Sequence, residues 1–257
     1  AISSVTTIRE NYMTRLYFIS DLHIGAGLEA EEQQKLINFK SFLAHIKQPG
    51  NELYILGDLF DFWFEYKHVV PASHFQFLYE LSKIIDSGVT VHFQRGNHDC
   101  WIRNFFSNQM NIRVHPDVYT FEREQKKFYL FHGDGVLKRD RGYRLLKKVF
   151  RNSISIWLYR WLHPDIGVPL AKLMSRTSRN QNSRKPFPNS EDYLRFATDK
   201  IDQGFDFVVL GHIHQPYLKK IDRGWILNLG DWINHYSYGE FDGNELSLKF
   251  WDEIKVK

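Results

Sequence analysis

The sequence of 257 residues predicts an α/β fold, and three observations carry that expectation. Six short apolar or β-branched runs recur along the chain. Each is followed at once by Asp, His, Asn or Gly, and segments with helical spacing of apolar residues lie between the early ones. In open α/β sheets the loops beyond the carboxyl ends of the strands converge on one place, which brings polar residues from distant parts of the chain together. A chain of this length buries a full core, and one domain carrying an insertion is expected.

Met13 and Thr14 stand just before the first run, so residues 1–12 read as an extension or cloning remnant and the fold is expected over residues 13–257. Leu16 to Ile19 is the first strand, and Ser20-Asp21-Leu22-His23 follows it. Between Glu31 and Lys47, Leu36, Phe39, Leu43 and Ile46 recur at spacings of three and four, the mark of an amphipathic helix. Leu53 to Leu56 is the second strand and leads into Gly57-Asp58. The helix from about Ser73 to Ile85 carries Leu78 and Leu81 on one face and is a crossover to the third strand, Val89 to Phe93. Gly96-Asn97-His98-Asp99 comes next, then Phe128 to Phe131 with His132-Gly133-Asp134. Phe207 to Leu210 with Gly211-His212-Ile213-His214, and Trp225 to Leu229 with Gly230-Asp231, complete the series. Such runs, bounded by turn residues, read as buried strands.

Over residues 135–200 the strand pattern stops, and an inserted helical cap is expected. Lys138 to Leu173 reads as helical, with Pro164 and Pro169 breaking it into pieces, and Pro186 and Pro188 close the insertion. Thirteen Lys and Arg stand against only Asp140 and Asp165 between Lys138 and Lys185, so the rest of the chain is net acidic although the total is +4. A basic segment interleaved with Trp157, Tyr159 and Trp161 points to an anionic partner. The aromatics either line an apolar region or pack the cap onto the body.

Composition excludes other classes. Apolar residues at 43% and charged residues at 25% are globular values, not those of a disordered chain. Cys100 is the only cysteine, so no internal disulfide forms and a thiolate metal site would have one ligand, which fits a reducing cytoplasm. No run reaches the length of a bilayer span, and no basic-then-apolar leader is visible.

Asp21, His23, Asp58, Asn97, His132, His212 and His214 offer two carboxylates, four imidazoles and an amide. Mixed nitrogen and oxygen donors suit transition ions rather than the all-oxygen shells of Ca²⁺ or Mg²⁺. Two divalent ions are expected, Mn²⁺ foremost, with Fe²⁺, Co²⁺ or Zn²⁺ as alternatives. In Asp-x-His and His-x-His on an extended segment the paired side chains face the same way. Asp58 is the candidate bridge, because a carboxylate has lone pairs enough for two ions. Glycines 57, 96, 133 and 211 permit the tight turns of ligand loops.

The ordered series Asp21-Leu22-His23, Gly57-Asp58-Leu59-Phe60-Asp61, Gly96-Asn97-His98-Asp99, His132 and Gly211-His212-Ile213-His214 resembles the calcineurin-like metallophosphoesterases. That resemblance implies packed β-sheets flanked by helices, with one ion held by Asp21, His23, Asp58 and His214 and the other by Asp58, Asn97, His132 and His212. The two cations would lower the pKa of a water that attacks phosphorus directly. His98 would stabilise the phosphoryl group or protonate the leaving oxygen. Asp99 or Asp61 would orient it, or serve as turn carboxylates.

Within that superfamily the cap resembles the UDP-2,3-diacylglucosamine hydrolases of lipid A biosynthesis. Asp140-Arg141-Gly142-Tyr143 and Ser178-x-x-x-Asn182-x-x-Lys185 look like that family's substrate contacts, which implies Asp140, Tyr143, Ser178, Asn182 and Lys185 as substrate-binding residues. His98 departs from the Arg common there and follows the broader superfamily. The implied reaction releases UMP and 2,3-diacylglucosamine 1-phosphate from a nucleotide-linked diacyl sugar. The implied setting is cytoplasmic, peripheral on the inner-membrane surface, without nucleic acid. A phosphodiesterase or nuclease, and a scaffold that has lost catalysis, are the competing readings.

Overall fold

The computed structural model describes residues 14–136, 149, 151–182 and 190–251, with side chains described outside 174–190. Two sheets lie face to face. In the first, β1 (Leu16–Ile19), β2 (Glu52–Leu56), β3 (Thr90–Gln94) and β4 (Arg113–His115) run parallel, with β10 (Ser237–Phe241) antiparallel beside β1 and β11 (Leu246–Phe250) outside it. In the second, β6 (Lys126–Phe131), β7 (Phe207–Leu210) and β9 (Gly224–Leu229) are parallel, flanked by antiparallel β5 (Tyr119–Arg123) and β8 (Pro216–Ile221). Helices α1 (Glu29–Ile46), α2 (Phe75–Asp86) and α3 (Phe105–Met110) pack on the first sheet, and α6 (Ser190–Asp202) packs on the second.

The six expected strands are buried on both faces, which is why they read as continuous apolar runs rather than alternations. Leu16, Phe18, Tyr54 and Leu56 face Phe128, Leu130, Val209 and Leu227 between the sheets, with the Phe18 ring stacked on Tyr54 at 5.2 Å and on Phe128 at 6.0 Å. On the outer face of the first sheet, Tyr17, Ile19, Leu53 and Ile55 meet Phe39, Phe42 and Leu43 of α1 and Leu81 and Ile84 of α2. On the second sheet, Val208, Leu210 and Ile226 meet Tyr193, Ala197 and Ile201 of α6.

Five strands escape the sequence pattern. β5, β8 and β11 lie at the edges of their sheets or expose residues along them, and β4 is three residues long. β10 is fully buried yet carries Gly239 and Glu240. A Cβ at Gly239 would lie 2.6 Å from Leu227, and Glu240 is paired with Arg15 and with Lys249 at 2.7 Å.

Between β6 and β7 the described part of the insertion holds α4 (Ser153–Arg160) and α5 (Pro164–Asn182). The expected break at Pro169 is corrected: α5 runs through it. Pro164 is the first residue of α5, where an N–H would lack an intrahelical partner in any case, whereas Pro169, in the second turn, removes one intrahelical bond and the helix continues beyond it for more than three turns. The cap is fastened by Tyr159, whose ring lies 4.7 Å from Phe64, 5.9 Å from Phe62 and 6.1 Å from Trp101, and by Arg151 to Asp117 at 2.9 Å. Trp157, Leu158 and Trp161 point to solvent instead, Trp161 being 76% exposed. So one aromatic packs the cap onto the body and the two tryptophans do not.

The sheets are also joined by charge. Glu52 of β2 accepts from the Tyr54 hydroxyl at 2.6 Å, lies 3.3 Å from His92 and pairs with Arg123 of β5 in the other sheet. Burial by itself would raise the Glu52 pKa, but His92, Tyr54 and Arg123 outweigh it and bring it from 4.5 to about 2. The stabilisation from this depressed carboxyl is present above the unfolded value and is lost as pH falls through the folded one. Glu52→Gln is therefore expected to flatten the fall of unfolding free energy between about pH 4.5 and about pH 2, measured by urea melts; an unchanged slope would count against the cluster.

Candidate metal centre

All seven candidate ligands stand just beyond the carboxyl ends of parallel strands: Asp21 and His23 after β1, Asp58 after β2, Asn97 after β3, His132 after β6, and His212 and His214 after β7. The expectation that the Asp-x-His and His-x-His pairs lie on extended backbone is corrected. Asp21, His23, Asp58, His212 and His214 have φ of 55°, 45°, 51°, 72° and 54°, the left-handed region. Each such residue costs about 1–3 kcal/mol and persists only where its surroundings impose it. Asp and His tolerate the region better than most residues, and here it turns each side chain back over the strand ends.

One group forms around Asp21. Its Oδ2 accepts from the Ser20 hydroxyl at 2.6 Å and from the His212 amide at 2.8 Å, which leaves Oδ1 facing inward. Among the described residues Oδ1 has no hydrogen-bond partner; it lies 3.2 Å from His214 Nε2 and 3.6 Å from His23 Nε2, and those two nitrogens are 3.3 Å apart. A second group forms around His132. Its Nδ1–H donates to the Leu56 carbonyl at 2.7 Å, a bond that only a protonated Nδ1 can make. Nε2 is thereby aimed at Asn97 Oδ1 at 3.1 Å and Asp58 Oδ2 at 3.4 Å. His212 completes a cluster with Asp58 and His132, their ligand atoms within 4.8 Å of one another.

Asp58 joins the two. Its Oδ1 accepts from the His98 amide at 2.9 Å, while Oδ2 lies 3.7 Å from His23 Nε2 on one side and 3.4 Å from His132 Nε2 on the other. The oxygen that faces both groups is a single atom, Oδ2. Gly96 makes this possible: a Cβ there would lie 2.1 Å from Asp58 Oδ1.

His98, expected to act on the substrate's phosphoryl group, donates Nδ1–H to the carbonyl of Asp61, one of the two acids expected to orient it, at 2.9 Å, and its Nε2 edge faces Asp58 Oδ2 at 3.9 Å. Asp61 also brings its Oδ1 to 3.7 Å from His23 Nδ1, behind that ring. Asp99 is placed differently from an orienting acid. Its two oxygens accept from the amides of Gly96 at 2.7 Å and Leu59 at 2.8 Å, so it ties the β2 and β3 loops together as a turn carboxylate does. Among the cap residues, Asp140, Tyr143 and Lys185 lie outside the described residues; Ser178 and Asn182 fall on α5, and their side chains lie outside as well. Sequence reasoning assigned no role to Ser20 or to Asp231, whose Oδ2 lies 3.6 Å from His214 Nδ1; the recurrence of Gly-Asp after a strand, as at Gly57-Asp58, is the signal that marks Asp231.

The electrostatics ask for cations. Burial would raise both carboxyls, yet His214 and His23 hold Asp21, and His132 and His98 hold Asp58, well below the ordinary range. Burial likewise disfavours a charged His132, but Asp58 and Asp21 push its proton affinity well up, and against the same burial Asp21 and Asp231 raise His214 to about 10. Buried carboxylates facing inward must be neutralised by positive charge, which is what a bound metal ion supplies. The ligand atoms of Asp21, His23 and His214 lie within 4.8 Å of one another, as do those of Asp58, His132 and His212 and those of His23, Asp61 and His98, nitrogen and oxygen donor sets that fit divalent transition ions. Gly96→Ala, which thrusts a methyl against Asp58, is expected to lower both bound metal and phosphodiester hydrolysis at least about tenfold. Elemental analysis of purified protein checks this, and full metal occupancy in the variant would contradict it.

The sequence matches the calcineurin-like phosphoesterase family over residues 14–216. It is 32% identical to a UDP-2,3-diacylglucosamine hydrolase of Porphyromonas gingivalis over 94% of this chain and 99% of that protein. It is 28% identical to proteins of the same name from Haemophilus influenzae, over 88% of this chain and 93% of that one, and from Neisseria meningitidis, over 88% and 92%. With the match running from the first described residue to the start of β8, and a relative aligned along nearly its whole length, this chain belongs to the calcineurin-like phosphoesterase family.

Proposed function

We propose that this chain hydrolyses the diphosphate of UDP-2,3-diacylglucosamine, releasing UMP and 2,3-diacylglucosamine 1-phosphate. The observation that carries the reading is the 32% identity along 94% of the chain, cap region included, to a hydrolase of that name. Site geometry supports the chemistry. Asp21, His23, Asp58 and His214 would hold one divalent ion and Asp58, Asn97, His132 and His212 the other, with Mn²⁺ the first candidate. When bound, such a pair generates hydroxide from water near neutral pH and offsets the charge that builds on the phosphoryl oxygens.

The chain's own residues supply position and proton control. Asp58 shares one oxygen between the two groups and is kept from turning by the His98 amide. The Asp61 carbonyl fixes the His98 ring, so Nε2 is the atom that would meet a phosphoryl or leaving oxygen. Burial lowers the proton affinity of His98 while Asp58 and Asp61 oppose it, and an anionic phosphoryl group would add to that opposition. In the cap, residues 135–200, Asp140, Tyr143, Ser178, Asn182 and Lys185 would contact the nucleotide-linked sugar.

Peripheral contact with the cytoplasmic face of the inner membrane belongs to the same proposal. No helix among the described residues is long and apolar enough to cross a membrane. Yet α4, α5 and Trp161 just after α4 expose Ile154, Trp157, Leu158, Trp161, Ile166, Leu170 and Leu173 on a cap rich in Lys and Arg. Tryptophan and aliphatic side chains beside cations are the composition of a surface that lies in the interface of an anionic bilayer.

Metal-loaded protein incubated with UDP-2,3-diacylglucosamine is expected to yield UMP, followed by chromatography; cleavage of generic diesters without UMP would remove the lipid assignment. Asn182→Ala is expected to slow that reaction at least about tenfold while sparing a small artificial ester, since a lost substrate hydrogen bond acts only where the bond is made. Equal effects on both substrates would contradict the contact. Replacing Trp157 and Trp161 together by Ala is expected to reduce co-sedimentation with anionic vesicles and leave hydrolysis of the small ester unchanged. Undiminished sedimentation would refute the membrane-facing role of the cap.

A further inference from the structure

The last of the six strand-end turns, Gly230-Asp231 after β9, contributes none of the seven candidate ligands, yet it touches the centre twice. The Trp232 amide donates to the Asp21 carbonyl at 3.1 Å, and Asp231 Oδ2 lies 3.6 Å from His214 Nδ1, on the side of the ring away from the cluster. His214 Nε2 faces Asp21 and His23. Its two nitrogens thus look at two carboxylates, one inside the centre and one behind it.

Asp231 is held as a fixed anion. Its Oδ1 accepts from the amides of Ile233 at 2.9 Å, Asn234 at 2.7 Å and His235 at 3.2 Å, and its side chain is 1% exposed. Three donors on one oxygen leave the other, Oδ2, with two imidazoles: His214, and His235 Nδ1 at 3.0 Å. His235 is a half-exposed residue on the same turn and no member of the metal clusters. For His214 to offer the Nε2 lone pair to a cation its ring proton must sit on Nδ1, and a carboxylate behind Nδ1 favours that tautomer and the ring orientation that goes with it.

We infer that Asp231 is a positioning residue for the ion held by Asp21, His23, Asp58 and His214, acting through His214 Nδ1 without touching the ion, and that His235 competes for the same oxygen. This rests on the reading of those residues as metal ligands, but not on the identity of the phosphate substrate. Asp231→Asn is the informative change. The amide keeps the oxygen that takes the three backbone amides, and turns an N–H donor toward His214, which favours protonation at Nε2 and blocks the lone pair that a metal needs.

The test uses the full chain, with Mn²⁺ binding followed by equilibrium dialysis. Wild-type protein is expected to bind two ions, and Asp231→Asn to bind one as before and the other about 10–100-fold more weakly. His235→Ala, which removes the competitor and leaves Asp231 in place, is expected to keep both ions. Two ions of wild-type affinity in Asp231→Asn, or equal loss in both variants, would overturn the inference. Should Asp231→Asn fail to fold, wild-type protein loaded with diamagnetic Zn²⁺ still decides the matter by NMR. A His214 Nδ1 proton shifted far downfield and slow to exchange is expected, and an unshifted, rapidly exchanging one would overturn the assignment. Neither measurement uses a nucleotide sugar, so a protein inert towards UDP-2,3-diacylglucosamine could still meet or fail both.

Discussion

Two carboxylates, Asp21 and Asp58, are taken out of water and turned toward histidines from other loops. A desolvated carboxylate is tolerated only where positive charge and hydrogen bonds meet it. Much of the local structure follows from meeting that requirement. One oxygen of each acid is satisfied by main-chain donors, the His212 amide for Asp21 and the His98 amide for Asp58, and the other is left for the centre. The Leu56 carbonyl directs His132 by taking its Nδ1 proton, and Asp99 cross-links the loops that carry Asp58 and Asn97.

The scaffold bears the cost of that arrangement. Five candidate ligands sit in left-handed backbone, and the strain persists because each follows within a few residues of a strand buried on both faces. Close approach adds to it, since no side chain fits between Gly96 and Asp58. A core of aromatic rings stacked between the sheets supplies the rigidity, and helices cover the outer faces of both sheets.

Division of labour also marks the insertion. Tyr159 and Arg151 fasten the cap to the body while Trp157 and Trp161 are turned outward. Among the described residues this fastening leaves apolar side chains of the basic cap exposed.

The sequence by itself determined the α/β class and the six central strands, since burial on both faces writes itself as uninterrupted apolar runs from Leu16–Ile19 to Trp225–Leu229. It also determined which residue types meet, because loops at the ends of parallel strands must converge. Edge strands such as β8 and the Gly- and Glu-bearing β10 were hidden, for their pairing is dictated by neighbours rather than by their own composition. Only the tertiary structure decided that Asp61 sits behind His98 and His23 while Asp99 braces two loops, that Asp58 presents one oxygen to both groups, and that Asp231 stands behind His214. Those distinctions depend on which lone pair points where, and that is set by contacts between residues far apart in the chain, which no local pattern of residue types records.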